Sequence, residues 1–236
     1  MPEALRSCTN TMQSSSNRVE ITAKARDRTM PPYIVFGGPL ASGKTTLAGR
    51  LAEHRRTGSI MEVVANHPLI DDFYKDPVTY ALETEMIFTI MHYHDVARAV
   101  KERLFEQEVV SDLFFDGVEA YTSFTLSLEN RRAFLPLLRS LQERIPAPTQ
   151  VFYLNGSTEY LMDRVRERGR DYERYMTYDY LDGINTAFKE FIKDYRRAPV
   201  TVLDAEALYR QSPRETMEVI ESKLLVRETS DLAEYR

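Results

Sequence analysis

Residues Gly38-Pro39-Leu40-Ala41-Ser42-Gly43-Lys44-Thr45 satisfy the pattern GxxxxGK[ST] at every fixed position. Glycines let successive backbone N–H groups curl round a phosphate, and a helix starting behind them adds its partial positive charge. On this reading Gly38, Ala41, Ser42, Gly43 and Thr46 belong to the cradle, Lys44 reaches the β- and γ-phosphates, and the Thr45 hydroxyl ligates Mg²⁺. The expected ligands are ATP or another nucleoside triphosphate, with Mg²⁺. A second concentration of chemistry lies at 163–174, where five arginines (Arg164, Arg166, Arg168, Arg170 and Arg174) fall within eleven residues. Arg164 and Arg168 share one helix face by i,i+4 spacing, and Gly169 can end that helix and act as a hinge. Such a segment can close over a triphosphate, exclude water and stabilise charge on a transferring phosphoryl group. Asp112, at the end of an apolar run, supplies a carboxylate able to hold Mg²⁺ through water. A GTPase would carry a DxxG and NKxD pair in matching positions, and none is found, so the pattern points to a small-molecule kinase.

Those residues need a scaffold, and the intervening sequence supplies one. Tyr33–Phe36 predicts a buried strand ahead of the glycines, and Thr45–His54 a helix behind them. Further strands are predicted at Ser59–Val64, Glu108–Asp112, Thr149–Leu154 and Pro199–Asp204. A long helix opens at Asp76-Pro77, with Asp76 as N-cap and Pro77 in the first turn, and is expected to run to about Gln107. An amphipathic helix over Leu128–Ile145 is expected to kink at Pro136, helix follows Thr158, and a last one spans about Pro213 to Leu225. Strands alternating with helices imply parallel βαβ units and a three-layer α/β sheet. Residues 1–30 are polar and Arg/Ser-rich, and read as a flexible leader; residues 31–226 form the folded domain and 227–236 a polar tail. The leader's Arg and Ser content is faintly like a transit peptide, but Glu3, Glu20 and Asp27 count against that.

Composition narrows the class without naming it. The chain has 236 residues and a formal net charge of −5, which disfavours a nucleic-acid polymer as partner. No uncharged run reaches the ~20 apolar residues of a membrane span. A single cysteine, Cys8, excludes an internal disulfide framework and suggests a reducing, cytoplasmic setting. None of the four histidines belongs to an HExxH motif.

Taken together, the phosphate loop, the block Glu62-Val63-Val64-Ala65-Asn66-His67-Pro68 through Phe73-Tyr74-Lys75-Asp76-Pro77, the run Arg164 to Glu173, and Tyr180-Leu181 resemble the deoxynucleoside kinase family, especially its bacterial deoxyadenosine/deoxyguanosine kinase branch. The resemblance spans about Tyr33 to Asp204. It implies a P-loop kinase fold with a five-stranded parallel sheet and an arginine-rich lid, usually dimeric. It also implies ATP-dependent phosphorylation of the 5′-hydroxyl of a deoxynucleoside. By position, Glu62 matches the general base that takes the 5′-hydroxyl proton. Tyr74 matches the tyrosine at the sugar 3′-hydroxyl, Glu173 the lid carboxylate near the sugar, and Arg164, Arg168 and Arg170 the lid arginines.

Two departures from the family pattern stand out. After the third strand the family carries a Glu- or Asp-Arg-Ser motif, whereas Ser111-Asp112-Leu113-Phe114 has no arginine. This leaves open an acceptor other than a nucleoside, such as a nucleoside monophosphate or a hydroxylated base, and also a nucleotide-binding subunit without catalysis. Intact Lys44, Thr45 and Glu62 speak against the last. Second, Glu85 stands where the family places a base-reading glutamine, and His92 where it often has an arginine. With Ala81, Leu82, Phe88 and Thr89 as its helical neighbours, Glu85 has no cation within a turn. An ionised carboxylate only accepts hydrogen bonds, which suits the N1–H and N2–H₂ donors of guanine better than adenine's mixed edge. The expectation is a purine nucleoside, with a leaning toward guanine.

Overall fold

In a computed structural model that describes residues 31–102 and 104–225, five strands form one parallel sheet in the order β2-β3-β1-β4-β5. The strands are β1 (Tyr33–Gly37), β2 (Gly58–Ile60), β3 (Val109–Ser111), β4 (Gln150–Asn155) and β5 (Val200–Asp204). The helices are α1 (Lys44–Arg55), α2 (Ile70–Lys75), α3 (Pro77–Lys101), α4 (Val118–Thr125), α5 (Leu128–Gln142), α6 (Thr158–Arg168), α7 (Tyr178–Asp194), α8 (Ala205–Arg210) and α9 (Pro213–Ser222). The expected leader and tail lie outside the described residues.

β1 is central, flanked in register by β3 (Ile34 opposite Val110) and β4 (Phe36 opposite Phe152). All five of its residues are buried, as a strand covered on both faces requires. Successive side chains alternate between faces. Tyr33 and Val35 enter a core shared with Val96 of α3, Leu138 of α5 and Ile184 and Phe188 of α7. Ile34 and Phe36 enter another, with Leu47 and Leu51 of α1, Leu208 of α8 and Ile220 of α9. Helices on both faces of a parallel sheet are the three layers that the strand–helix alternation implied.

Local chemistry sets the element ends. Asp76 caps α3, its carboxylate accepting from the Thr79 N–H at 3.2 Å. Ser212 and Glu215 cap α9 reciprocally. Several limits differ from the sequence expectation. β2 ends at Ile60 rather than Val64, because the Glu62 N–H is taken by the Asp112 side chain at 2.7 Å and a single 3₁₀ turn follows at Val64–Asn66. α3 stops at Lys101, short of Gln107, where Glu102 closes it with a bond to the Arg98 carbonyl at 2.8 Å. α5 ends at Gln142, with Pro136 inside it, and α9 at Ser222 rather than Leu225. The helix expected after Thr158 is two, α6 and α7, separated at Gly169 in the left-handed conformation (φ 58°) and a 3₁₀ segment at Asp171–Tyr175.

Candidate active site

The phosphate loop leaves the carboxyl end of central β1, and α1 begins at its lysine. Gly43 caps α1 at φ 99°, a left-handed conformation that glycine adopts without Cβ strain. Gly38 has φ 143°, and a Cβ there would sit 2.9 Å from the Leu154 carbonyl oxygen. Ala41 also takes a positive φ, 63°, uncommon for a residue with a side chain. The Lys44 ammonium donates to the carbonyls of Gly38 (2.9 Å) and Pro39 (2.8 Å). Burial lowers its pKa against the pull of the Glu62 and Asp112 carboxylates.

A cleft of about 400 Å³ opens beside this loop, within the size range of small-molecule sites. Of the predicted residues, Ala41, Gly43, Lys44, Thr45 and Thr46 line it, as do Glu62, Tyr74, Glu85, His92, Arg164, Arg168, Arg170 and Glu173. Gly38, Ser42 and Asp112 are not in its wall: Gly38 supplies a carbonyl to Lys44, while Ser42 and Asp112 are buried just behind.

Glu62 is delivered by the segment after β2. Its N–H is fixed by Asp112 Oδ1, and its carboxylate Oε1 lies 2.7 Å from His92 Nε2 on α3. Burial pushes the Glu62 carboxyl up, but the hydrogen bond and charge of His92, with Lys44 and Arg170, outweigh it and leave the pKa below its usual value. Glu62 is therefore ionised at neutral pH. Asp112, 2% exposed, has its pKa raised by burial and pulled back by the Thr45 hydroxyl. Its Oδ2 is buried and finds no hydrogen-bond partner among the described residues. An orphaned carboxylate oxygen close to a threonine hydroxyl fits Mg²⁺, which is held by one or two protein oxygens beside phosphates.

The arginine segment is partly self-paired. Arg168 makes a bidentate bond to buried Glu173, with Nε to Oε2 at 2.7 Å and Nη2 to Oε1, and Arg170 stands 3.9 Å from the same carboxylate. Arg164 pairs with Glu167 and lies 4.1 Å over the Tyr209 ring. Arg166 is exposed and pairs with Asp163. Glu173, matched by position to a sugar contact, is thus held here by the two arginines that frame the lid.

At the cleft's far end, Glu85 is 5% exposed. The sequence showed no cation within a helical turn of it; the structure adds a partner from another element and a shifted ionisation. The Thr125 hydroxyl of α4 donates to its Oε1 at 2.8 Å, and burial raises its pKa to about 7, despite the opposing Thr125 bond and His92 charge. His92, expected at the base, has its Nε2 engaged by Glu62. Tyr74 is stacked at 6.0 Å on Tyr172 of the lid, its hydroxyl pKa raised by burial. Sequence reasoning missed Tyr121 and Val118, which line the cleft from α4, and noted Phe88, one turn beyond Glu85, only as a helical neighbour without placing it in the site.

The model of the family described as "Deoxynucleoside kinase" matches residues 34–225, most of the chain and every residue of the cleft. The chain belongs to the deoxynucleoside kinase family. It is 27% identical over 178 residues to a deoxyguanosine kinase of Bacillus subtilis, covering 74% of this chain and 86% of that protein. It is 25% identical over 213 residues to a deoxyadenosine kinase of Lactobacillus acidophilus, covering 83% of this chain and 97% of the relative. Among solved structures it is similar in fold to a deoxyadenosine kinase from M. mycoides with bound dATP, at a TM-score of 0.67 and 19% identity, covering 81% of this chain and 98% of that one. The protein is accordingly a nucleoside-phosphorylating transferase with an α/β P-loop kinase fold, which sets aside a non-catalytic subunit. Among the described residues no helix is long and apolar enough to cross a membrane.

Proposed function

We propose that this deoxynucleoside kinase transfers the γ-phosphoryl group of ATP to the 5′-hydroxyl of a purine deoxynucleoside. The observation that carries the reading is that one cleft holds Lys44, Glu62 and Glu85 together, the first at the phosphate loop and the last at the buried end. A nucleoside with its sugar at Glu62 and its base at Glu85 would point its 5′-oxygen at the loop. Glu62, ionised and 2.7 Å from His92, is poised to accept the 5′-hydroxyl proton as that oxygen attacks. Lys44 would exchange its carbonyl partners for phosphate oxygens, and Arg164, Arg168 and Arg170 would offset charge on the transferring group. Thr45 and Asp112 would hold Mg²⁺, whose bound form neutralises the phosphates.

Purine selectivity is read from Glu85. Its ionised form accepts twice, matching guanine; its protonated form donates and accepts, matching adenine. We also propose a homodimer in the cytoplasm. Exposed Met86 and Ile90, one turn apart on α3, and Leu137 on α5 give a second copy apolar surface to cover, and the sparse cysteine content suits a reducing compartment.

The test is phosphoryl transfer from labelled ATP across the four deoxynucleosides and their monophosphates. Lys44→Ala serves as control and should lower kcat roughly 10²- to 10³-fold. Label on purine nucleosides is expected. Label confined to monophosphates would overturn the acceptor assignment.

A further inference from the structure

The strand-end arginine that the family resemblance led one to expect is absent, and Asp112-Leu113-Phe114 follows β3 in its place. Yet the Glu62 carboxylate is not left loose. One side is reached by His92, from the fifth turn of α3, at 2.7 Å between Nε2 and Oε1. Thirty residues and a change of element separate the two, so the contact is tertiary. The imidazole is itself fixed: Phe88, one turn earlier, packs against it at 5.6 Å between centroids, and its Nδ1 is buried with no partner among the described residues. A carboxylate only accepts, so the Nε2 that faces Glu62 is the nitrogen that donates.

We propose that His92 is the positioning residue of the catalytic base: as an Nε2–H donor it pins Glu62 Oε1 and leaves Oε2 to meet the acceptor hydroxyl. The backbone side of Glu62 is clamped separately by Asp112 at 2.7 Å. The base is thus held at both ends, by a strand-end carboxylate and a helix histidine. A freely rotating Glu62 would spend much of its time with neither oxygen on the attack line, and a misplacement near 1 Å costs on the order of 10²-fold in rate. The inference rests on the reading of Glu62 as base, and its test separates the two.

Steady-state kcat and KM for deoxyguanosine and ATP are measured for Glu62→Gln, His92→Ala, His92→Gln, His92→Leu and the double variant Glu62→Gln/His92→Ala, with thermal melts beside them. His92→Ala should lower kcat roughly 10- to 100-fold while both KM values hold. His92→Gln, a neutral donor of similar reach, should recover most of the loss, and His92→Leu, which fills the space without a donor, should recover none. Should His92→Ala not fold, the Leu and Gln pair carries the comparison. In the double variant, His92→Ala should add less than about 2-fold to the Glu62→Gln defect, since there is no longer a base to position. Four results overturn the inference: unchanged kcat in both His92→Ala and His92→Leu, a raised nucleoside KM with kcat intact, equal activity of the Gln and Leu variants, or multiplying defects in the double variant. Any of these alongside an inactive Glu62→Gln leaves the base assignment standing, whereas full activity of Glu62→Gln removes that assignment itself.

Discussion

Replacing Glu85 by glutamine should make the protein more stable, and only above a defined pH. Burial raises the Glu85 carboxyl from an ordinary 4.5 to about 7. Between those values the unfolded chain has lost the proton that the folded chain keeps. The folded state therefore holds an advantage below pH 4.5 that drains away as pH climbs to about 7 and stays lost beyond it. Each pH step in that interval costs about 1.36 kcal/mol, so the full loss is roughly 3 kcal/mol. Glutamine fits the same volume, its oxygen can still accept from Thr125, and it does not titrate. Groups remote from Glu85 titrate equally in both proteins, so the difference between the two reports the Glu85 carboxyl and the groups coupled to it. Urea or thermal unfolding from pH 4.5 to 8.5 should show curves that meet near pH 4.5 and diverge to roughly 3 kcal/mol by pH 8, or roughly 6–12 °C in Tm. Parallel curves across that range would refute both the raised pKa and the desolvated setting assigned to Glu85.

The same ionisation should reach specificity: the ratio of deoxyguanosine to deoxyadenosine turnover should rise as pH passes about 7, and Glu85→Gln should flatten it. Gly38→Ala combines a φ of 143° with a Cβ 2.9 Å from a backbone oxygen, so it should cost about 1–3 kcal/mol and weaken ATP binding, read by calorimetric titration. Asp116→Ala should destabilise by about 3 kcal/mol or more in urea melts. Its buried carboxylate receives Arg197, the Tyr195 hydroxyl at 2.7 Å and Gln142 Nε2 at 3.1 Å, all of which would lose their acceptor.

What could be read from the chain follows the range of the forces involved. β1 and the phosphate loop were legible because both are local: an unbroken apolar run, then glycines at fixed offsets, then a helix. The Asp76 cap was legible for the same reason. β2 was overrun because Met61, Val63 and Val64 look strand-like, while the event that ends it, capture of the Glu62 N–H, comes from a side chain fifty residues away. α4 went unseen because Val118–Thr125 mixes β-branched and aromatic residues of low helix propensity; it is held by packing, with Val118 and Ala120 buried. The cleft's residues were found by motif and resemblance, but not their partners. Glu85 with Thr125, forty residues apart, and Glu62 with His92, thirty apart, are pairings that only the folded chain brings about.

The parallel order of the sheet also decides how this enzyme could be handled. The phosphate loop and the segments bearing Glu62 and Asp112 leave carboxyl ends of strands. The amino ends are tied to one another through bonds such as Val109 N–H to the Pro32 carbonyl and Thr149 N–H to the Tyr33 carbonyl, both under 3.0 Å. The turn before β4, where Ala147 is exposed, enters the sheet on that amino-terminal side. It is the natural anchorage: a label, a surface tether or an inserted affinity tag at Ala147 would hold the molecule by its back, with the cleft turned toward the solution.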